Sequence, residues 1–183
     1  MSEELEVLKT VTRRLNQAEF PYMISGSIAA NYYTVPRMTR DIDIVIELKA
    51  INIDKFISLF QNDFYLDDKE MIKREVLQQG MFNLIHNQYV IKIDFIVRKE
   101  SEFQDVVFSR RKKVFIENAP MWFILPEDLI LAKLQWAKDS HSELQLKDVK
   151  NLLATVKDID MVYIKKWVKK LDLSQLYNEL NNE

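Results

Sequence analysis

The 183-residue chain has no cysteine, two glycines, four prolines and two histidines. The missing cysteine excludes disulfides and thiol chemistry and gives no reason to expect an oxidising compartment. His86 and His141 lie far apart in sequence, which argues against a zinc site of His and Cys; any metal is expected to be a hard cation on carboxylates. No sign of charge dominates: 26 Lys and Arg face 28 Asp and Glu, a formal net charge of −2, so an anionic ligand must be held by a local site. The N-terminal "MSEELEVLKT" is charged and no apolar run approaches ~18 residues, so the expectation is a cytoplasmic protein with no signal peptide, membrane span or membrane partner.

What is present is a core-forming chain. With 48% apolar residues and 11% aromatics it fits one domain, or one domain with a small helical annex. Leu5, Leu8, Val11 and Leu15 mark one face of a first helix, with acidic residues in its first turn to complement the dipole. "YMIS" reads as a short strand ending at Gly26-Ser27, and "SIAANYY" as a helix with Ser27 at its N-cap, ended by Pro36. "DIDIVIEL" alternates: Asp41, Asp43, Val45 and Glu47 point one way, Ile42, Ile44, Ile46 and Leu48 the other. "NIDKFISLFQ" predicts a helix, "MIKREVLQ" a short helix or turn, and "GMFNLIH" with "YVIKIDFIV" two strands around a turn at Asn87-Gln88. "VFIENAPMWFIL" reads as extended. Pro126, at a helix N1 position, then opens "PEDLILAKLQWAKD", and the pattern stays helical to the end, through "QLKDVKNLLATV" and "MVYIKKWVKKL". The fold class expected is α/β (α+β): a small mixed sheet flanked by helices over residues 1–125, with a helical portion over 126–183 packed on it.

Side chains two apart on a strand share a face, with Cα atoms ~6.6–6.8 Å apart, so Asp41 and Asp43 can reach one cation. Two carboxylates so close repel each other, and Asp is depleted from strands, so the pair costs stability unless a cation, an arginine or water offsets it. Asp94 faces away from Ile91, Ile93, Phe95 and Val97; if its strand neighbours the Asp41 strand, three carboxylates meet on one patch. Such a patch suits Mg²⁺, or Mn²⁺, shared between carboxylates and substrate phosphates. Gly26-Ser27 supplies the other half, because a glycine admits close approach and the first turn of a helix offers free N–H groups to phosphate. Taken singly each piece has a plainer reading: a solvated strand entrance, an ordinary turn, a salt-bridge partner of Lys or Arg.

Strand, Gly-Ser, short helix, "RMTRDIDIVI" and the later strand "IKIDFIV" together resemble the DNA polymerase beta-like nucleotidyltransferase superfamily, closest to the minimal nucleotidyltransferases of the abortive-infection toxin type. "EDLILAKLQWAKD" followed by "QLKDVKNLL" resembles their later segment, a lysine-bearing helix followed by an aspartate. The likeness runs from about Glu4 to Leu153. It implies that Gly26 and Ser27 hold an NTP's triphosphate, that Asp41 and Asp43 ligate Mg²⁺, and that Asp94 completes the metal site or acts as general base. It further implies that Lys133 pairs with the phosphates and that Asp148 is a polar support or a substrate-side residue. One departure is that Lys138 stands where the family often has an arginine, and lysine lacks the bidentate fork.

The activity implied is transfer of an NMP from an NTP to an acceptor hydroxyl with release of pyrophosphate. The acceptor is open among an RNA 3′ end, a protein side chain and an aminoglycoside-like small molecule, and a cognate antitoxin is a further implied partner. A different class of reading is a catalytically silent nucleotide-binding or interaction module of the same fold. Arg37 is a candidate to approach the nucleotide, and Arg40 an ordinary counter-charge for the aspartates. "SRRKK", Ser109 to Lys113, reads as a solvated basic run, Trp122, Trp136 and Trp167 as packing residues, and His86 as a surface residue.

Overall fold

The computed structural model describes residues 2–39 and 41–182. Arg40, expected as a counter-charge, lies outside the described residues. Helix α1 (Glu3–Gln17) leads into β1 (Tyr22–Ile24), α2 (Gly26–Tyr33) and β2 (Asp41–Ile46). A 3-10 turn (Ala50–Asn52) and α3 (Ile53–Phe60) follow, then β3 (Phe64–Leu66), α4 (Lys69–Gln78), β4 (Met81–His86) and β5 (Lys92–Val97). Next come α5 (Glu102–Arg110), the β6 (Lys112–Ile116) and β7 (Ala119–Phe123) hairpin, and helices α6 (Pro126–Ser140), α7 (Glu143–Thr155), α8 (Met161–Lys170) and α9 (Ser174–Asn182).

The strands form one mixed sheet in the order β3-β4-β5-β2-β1-β7-β6. β2 runs parallel to β5 and antiparallel to β1, so the two strands carrying Asp41, Asp43 and Asp94 are neighbours, as the three-carboxylate expectation requires. The alternation in β2 is obeyed: Ile42, Ile44 and Ile46 are fully buried, Asp41 is exposed and Asp43 half-buried. On that apolar face, Phe56 of α3 makes edge contacts with Phe82 of β4 and Phe95 of β5 at 5.5 and 5.0 Å. The carboxylate face turns instead toward α6.

Several local expectations need correction. The N-cap of α2 is Ser25, not Ser27, and its hydroxyl makes no capping bond; Ser25 is anchored through its N–H, which donates to the Asp43 carbonyl at 2.9 Å. The extended "VFIENAPMWFIL" is a hairpin, turned at Glu117 and Asn118 with φ of 46° and 67°. Two positive φ angles in succession are what a tight right-twisting hairpin turn needs, and only the asparagine advertises it. The basic run is stacked and paired: Arg111 lies 4.2 Å from the Phe108 ring centroid and 5.0 Å from that of Trp122, while Arg110 bonds Asp128. His86 is half-buried, edge-on to Phe64 and stacked on Tyr89.

Candidate active site

The site forms where β1 ends, β2 and β5 begin, and α6 and α7 cross. Gly26 sits between β1 and the body of α2 with φ +57°, a conformation that L side chains rarely adopt. A Cβ there would lie 1.8 Å from Asp43 Oδ2 and 2.5 Å from Asp43 Cγ. The glycine is therefore required by the turn and by the carboxylate that fills the space beside it. Sequence alone suggests that this space is open to a ligand; the structure puts Asp43 there.

Asp43 and Asp94 are direct partners in the β2–β5 register, and Asp41 pairs with Lys92. Burial pushes the Asp43 carboxyl up from its ordinary value and the Asp94 charge adds to this, while the Ser27 N–H and the Lys133 ammonium pull the other way. Asp94 is 7% exposed. Lys92, two residues away on the same face, places Nζ 2.8 Å from Asp94 Oδ1 and 2.9 Å from Oδ2, and donates its hydrogen bond to Oδ2. Oδ1 is within ion-pair range but buried without a hydrogen bond. The carboxylate raises the Lys92 ammonium above its ordinary value, chiefly through that hydrogen bond.

On the other wall lies a buried charge cluster centred on Asp148. Arg37 reaches it with both Nε (3.2 Å, to Oδ1) and Nη2 (3.1 Å, to Oδ2), and Lys133 Nζ donates to Oδ2 at 2.8 Å and to Gln145 Oε1 at 2.9 Å. Arg37 Nη2 also donates to Ser27 Oγ at 2.6 Å, tying the cluster to the glycine turn. Burial works to raise the Asp148 carboxyl, but the hydrogen bonds from Arg37 and Lys133 win and hold it below its usual range. Burial lowers the Lys133 ammonium against the pull of Asp148.

These walls enclose a cleft of about 210 Å³ onto which Gly26, Ser27, Arg37, Asp41, Asp43, Asp94 and Lys133 all open. Seven of the eight site residues expected from the sequence therefore line one cavity, and Asp148 stands behind Arg37 and Lys133. Thr39, Lys92, Trp136 and Gln145 are additions that the sequence does not single out. Lys92 carries a usable signal: it precedes Asp94 by two and so shares its face. Trp136, expected in packing, is 53% exposed and lines the cleft. Lys138 points elsewhere, to Asp172 at 2.9 Å, so it does not replace the missing arginine.

Among the described residues no group of three His, Cys, Asp or Glu side chains is arranged to hold a metal ion. The donor chemistry nevertheless fits a divalent cation that takes one or two carboxylates and completes its shell with substrate oxygens and water. Asp43, half-buried, and Asp94, buried, are adjacent, their charges repel, and Asp94 Oδ1 accepts no hydrogen bond.

Sheet order, the glycine turn and the paired aspartates define a nucleotidyltransferase fold. Similar solved structures include ANT(2″)-Ia in complex with adenylyl-2″-tobramycin (TM-score 0.61, 12% identity, covering 97% of this chain and 99% of that one). An antigenic nucleotidyltransferase-like protein from Paracoccidioides brasiliensis matches at TM-score 0.60 and 17% identity over 84% and 77%. The lincomycin-bound lincosamide antibiotic adenylyltransferase LnuA matches at 0.53 and 16% over 83% and 96%. No family model and no curated protein matches the chain.

Proposed function

We propose that the protein is a nucleotidyltransferase that moves an NMP from an NTP to an acceptor hydroxyl and releases pyrophosphate. The observation that carries this reading is the juxtaposition of Asp43 and Asp94 beside a glycine that no L-residue could replace without displacing Asp43. In this reading Ser27, Arg37 and Lys133 hold the triphosphate, and Asp148 keeps both cations aimed at the cleft. Asp41, Asp43 and Asp94 would hold Mg²⁺ or Mn²⁺, which when bound neutralises charge on the phosphates.

The acceptor oxygen bonds the α-phosphorus as the bond to the α–β bridging oxygen breaks. That oxygen leaves with the electron pair as pyrophosphate, and Asp94 takes the acceptor's proton. Lys92 then has a stated role: its ammonium shields Asp94 while the cleft is empty of cation, and it must yield Oδ1 and Oδ2 for Asp94 to work.

The silent-module alternative would keep the fold and bind nucleotide without turnover; the intact set of three aspartates speaks against it. The toxin role, with an antitoxin partner and an RNA acceptor, rests on the likeness of "RMTRDIDIVI" and of the later "EDLILAKLQWAKD" and "QLKDVKNLL". Small-molecule transfer has support from ANT(2″)-Ia and LnuA, whose structures hold an adenylylated aminoglycoside and lincomycin. The test is NTP affinity by calorimetry with Mg²⁺, together with single-turnover pyrophosphate release. Asp94→Asn is expected to keep nucleotide affinity and to lose turnover by ~10²–10⁴-fold, the range for removal of a general base. Wild-type turnover in that variant would overturn the mechanism.

A further inference from the structure

Beside the cleft, on the same face of the sheet, a larger groove of about 780 Å³ opens between β2, β5, α5, α6 and α8. Its floor includes Val45 and Ile96, which follow Asp43 and Asp94 by two residues on the same strand face. The groove thus begins one strand repeat, ~6.6–6.8 Å, from the carboxylates. Trp136, an exposed residue, lines both cavities.

We propose that this groove is the acceptor site, and that its occupant is a small, ring-bearing hydroxyl compound of little net charge. The inference rests on the nucleotidyl-transfer reading and names its acceptor class. Its volume falls in the ~300–1,000 Å³ range of small-molecule pockets. Trp136 offers an open ring face, and Phe103 and Trp167, 4% and 3% exposed and packed on each other, form the apolar wall behind it.

Charge separates this occupant from a nucleic acid. A polyanion is held by lysines and arginines that are free to neutralise phosphates. In this groove the cations are already matched: Arg98 bonds Glu47 at 3.2 Å and pairs with Asp105, and Lys170 bonds Glu102 at 2.7 Å. Lys99 and Asp139, the remaining charges on the rim, are one of each sign. A ring lying on Val45 and Ile96 would present a hydroxyl toward Asp94, and the transfer would proceed with the bond changes given above.

The test uses the whole chain with saturating Mg²⁺ and an ATP analogue carrying a methylene between the α- and β-phosphorus. The probes are a lincosamide, a hexose and a 12-nucleotide RNA with a free 3′ hydroxyl. The readout is the indole N–H resonances of the three tryptophans, assigned by Trp→Phe variants. At least one small probe is expected to shift Trp136 and Trp167 and leave Trp122 in place. Filling the groove, by Ala132→Phe or by the half-exposed helix position Gln135→Phe, should weaken that probe at least tenfold and change analogue affinity less than twofold.

Three outcomes overturn the proposal: no small probe moves Trp136 and Trp167; the filling variants weaken the analogue as much as the probe, which would make the groove the nucleobase site; or only the RNA binds, with an affinity that falls steeply with salt. Failure of the wild type to bind this analogue and its GTP, CTP and UTP counterparts would instead sink the nucleotidyl-transfer reading itself, and shows in the calorimetry before any probe is added.

Discussion

Gly26 and Asp43 are a single unit at the scale of residues. An alanine at 26 faces two separate penalties, a backbone at φ +57° and a Cβ 1.8 Å from Asp43 Oδ2. The first costs on the order of 1 kcal/mol or more for a non-glycine residue, and the second forces Asp43 to move. Gly26→Ala is therefore expected to lower Tm and to lose Mg²⁺-NTP affinity together. In an Asp43→Ala background the clash with Oδ2 and Cγ is gone, so Gly26→Ala should cost measurably less; strict additivity in that double-mutant cycle would mean the two residues are not coupled. Asp43 itself is held in an unfavourable charged state by burial and by Asp94. Its carboxyl is raised above the ordinary value of 3.8 on folding, so the charged form weakens the fold at neutral pH, and stability should rise as pH falls through that raised value and on to 3.8. Asp43→Asn is thus expected to raise the Tm of the cation-free protein, each 1 kcal/mol appearing as about 2–4 °C, while abolishing the shift induced by Mg²⁺-NTP. A lower Tm in that variant would show that the carboxylate is structural.

Between elements, the decisive contact is the one that Asp148 of α7 makes with Arg37 of the α2–β2 loop and Lys133 of α6. Lys133 is 3% exposed, so removing its counter-charge strands a buried ammonium. Asp148→Ala should therefore cost about 3–5 kcal/mol, the usual penalty for breaking one side of a buried pair. The Asp148 carboxyl is held below its ordinary value of 3.8, so its contribution is complete above that value and is lost as pH falls below it. Urea melts at stepped pH should show the gap between wild type and Asp148→Asn closing as pH drops below 3.8; a constant gap would assign the effect to shape alone. Sequence could not have located this contact, although it locates the strands beside it. β2 and β5 are legible because period-two alternation with carboxylates on one face fits a half-buried strand and little else, and Gly26 because glycine is so scarce in this chain. β3 has one buried residue where the equally short β1 has three, so it shows no apolar run, and neither it nor α5 is assigned from sequence. The Asp148 cluster joins residues 111 positions apart, a distance that no spacing rule covers. The likeness to known nucleotidyltransferases points to Asp148 and, as a phosphate partner, to Lys133, but not to the pairing of Asp148 with Arg37 and Lys133. Trp136 misleads for a related reason: an aromatic on a helical face usually packs, and only the groove beside α6 leaves it open.

Across the whole molecule, the C-terminal helices and the sheet meet in a second polar cluster as well as in the core. Asp128, fully buried at the start of α6, accepts from Arg110 Nε of α5 at 3.0 Å and from the Tyr163 hydroxyl of α8 at 2.5 Å. Arg110 also lies 4.0 Å from the Tyr163 ring centroid, and Glu127 Oε1 accepts from the Asp160 N–H at 3.2 Å. Three helices are thus fastened at one point. Apolar packing runs on without a break: Leu129, Ile130 and Leu134 of α6, Val149 and Leu152 of α7, and Ile164 and Val168 of α8 belong to the same buried cluster as the sheet. The helices should therefore not melt before the sheet, and thermal unfolding should give one transition, coincident by far-ultraviolet circular dichroism and by tryptophan fluorescence. Asp128→Ala removes the acceptor for two donors at once. Because Arg110 is partly exposed, the expected cost is near the low end for a buried pair, about 3 kcal/mol, or a Tm lower by about 6–12 °C. The transition should stay single while it moves. If fluorescence from Trp136 and Trp167 instead melts ahead of the circular dichroism in Asp128→Ala, the helices form a separable unit, and the groove they share with the sheet would open and close independently of it.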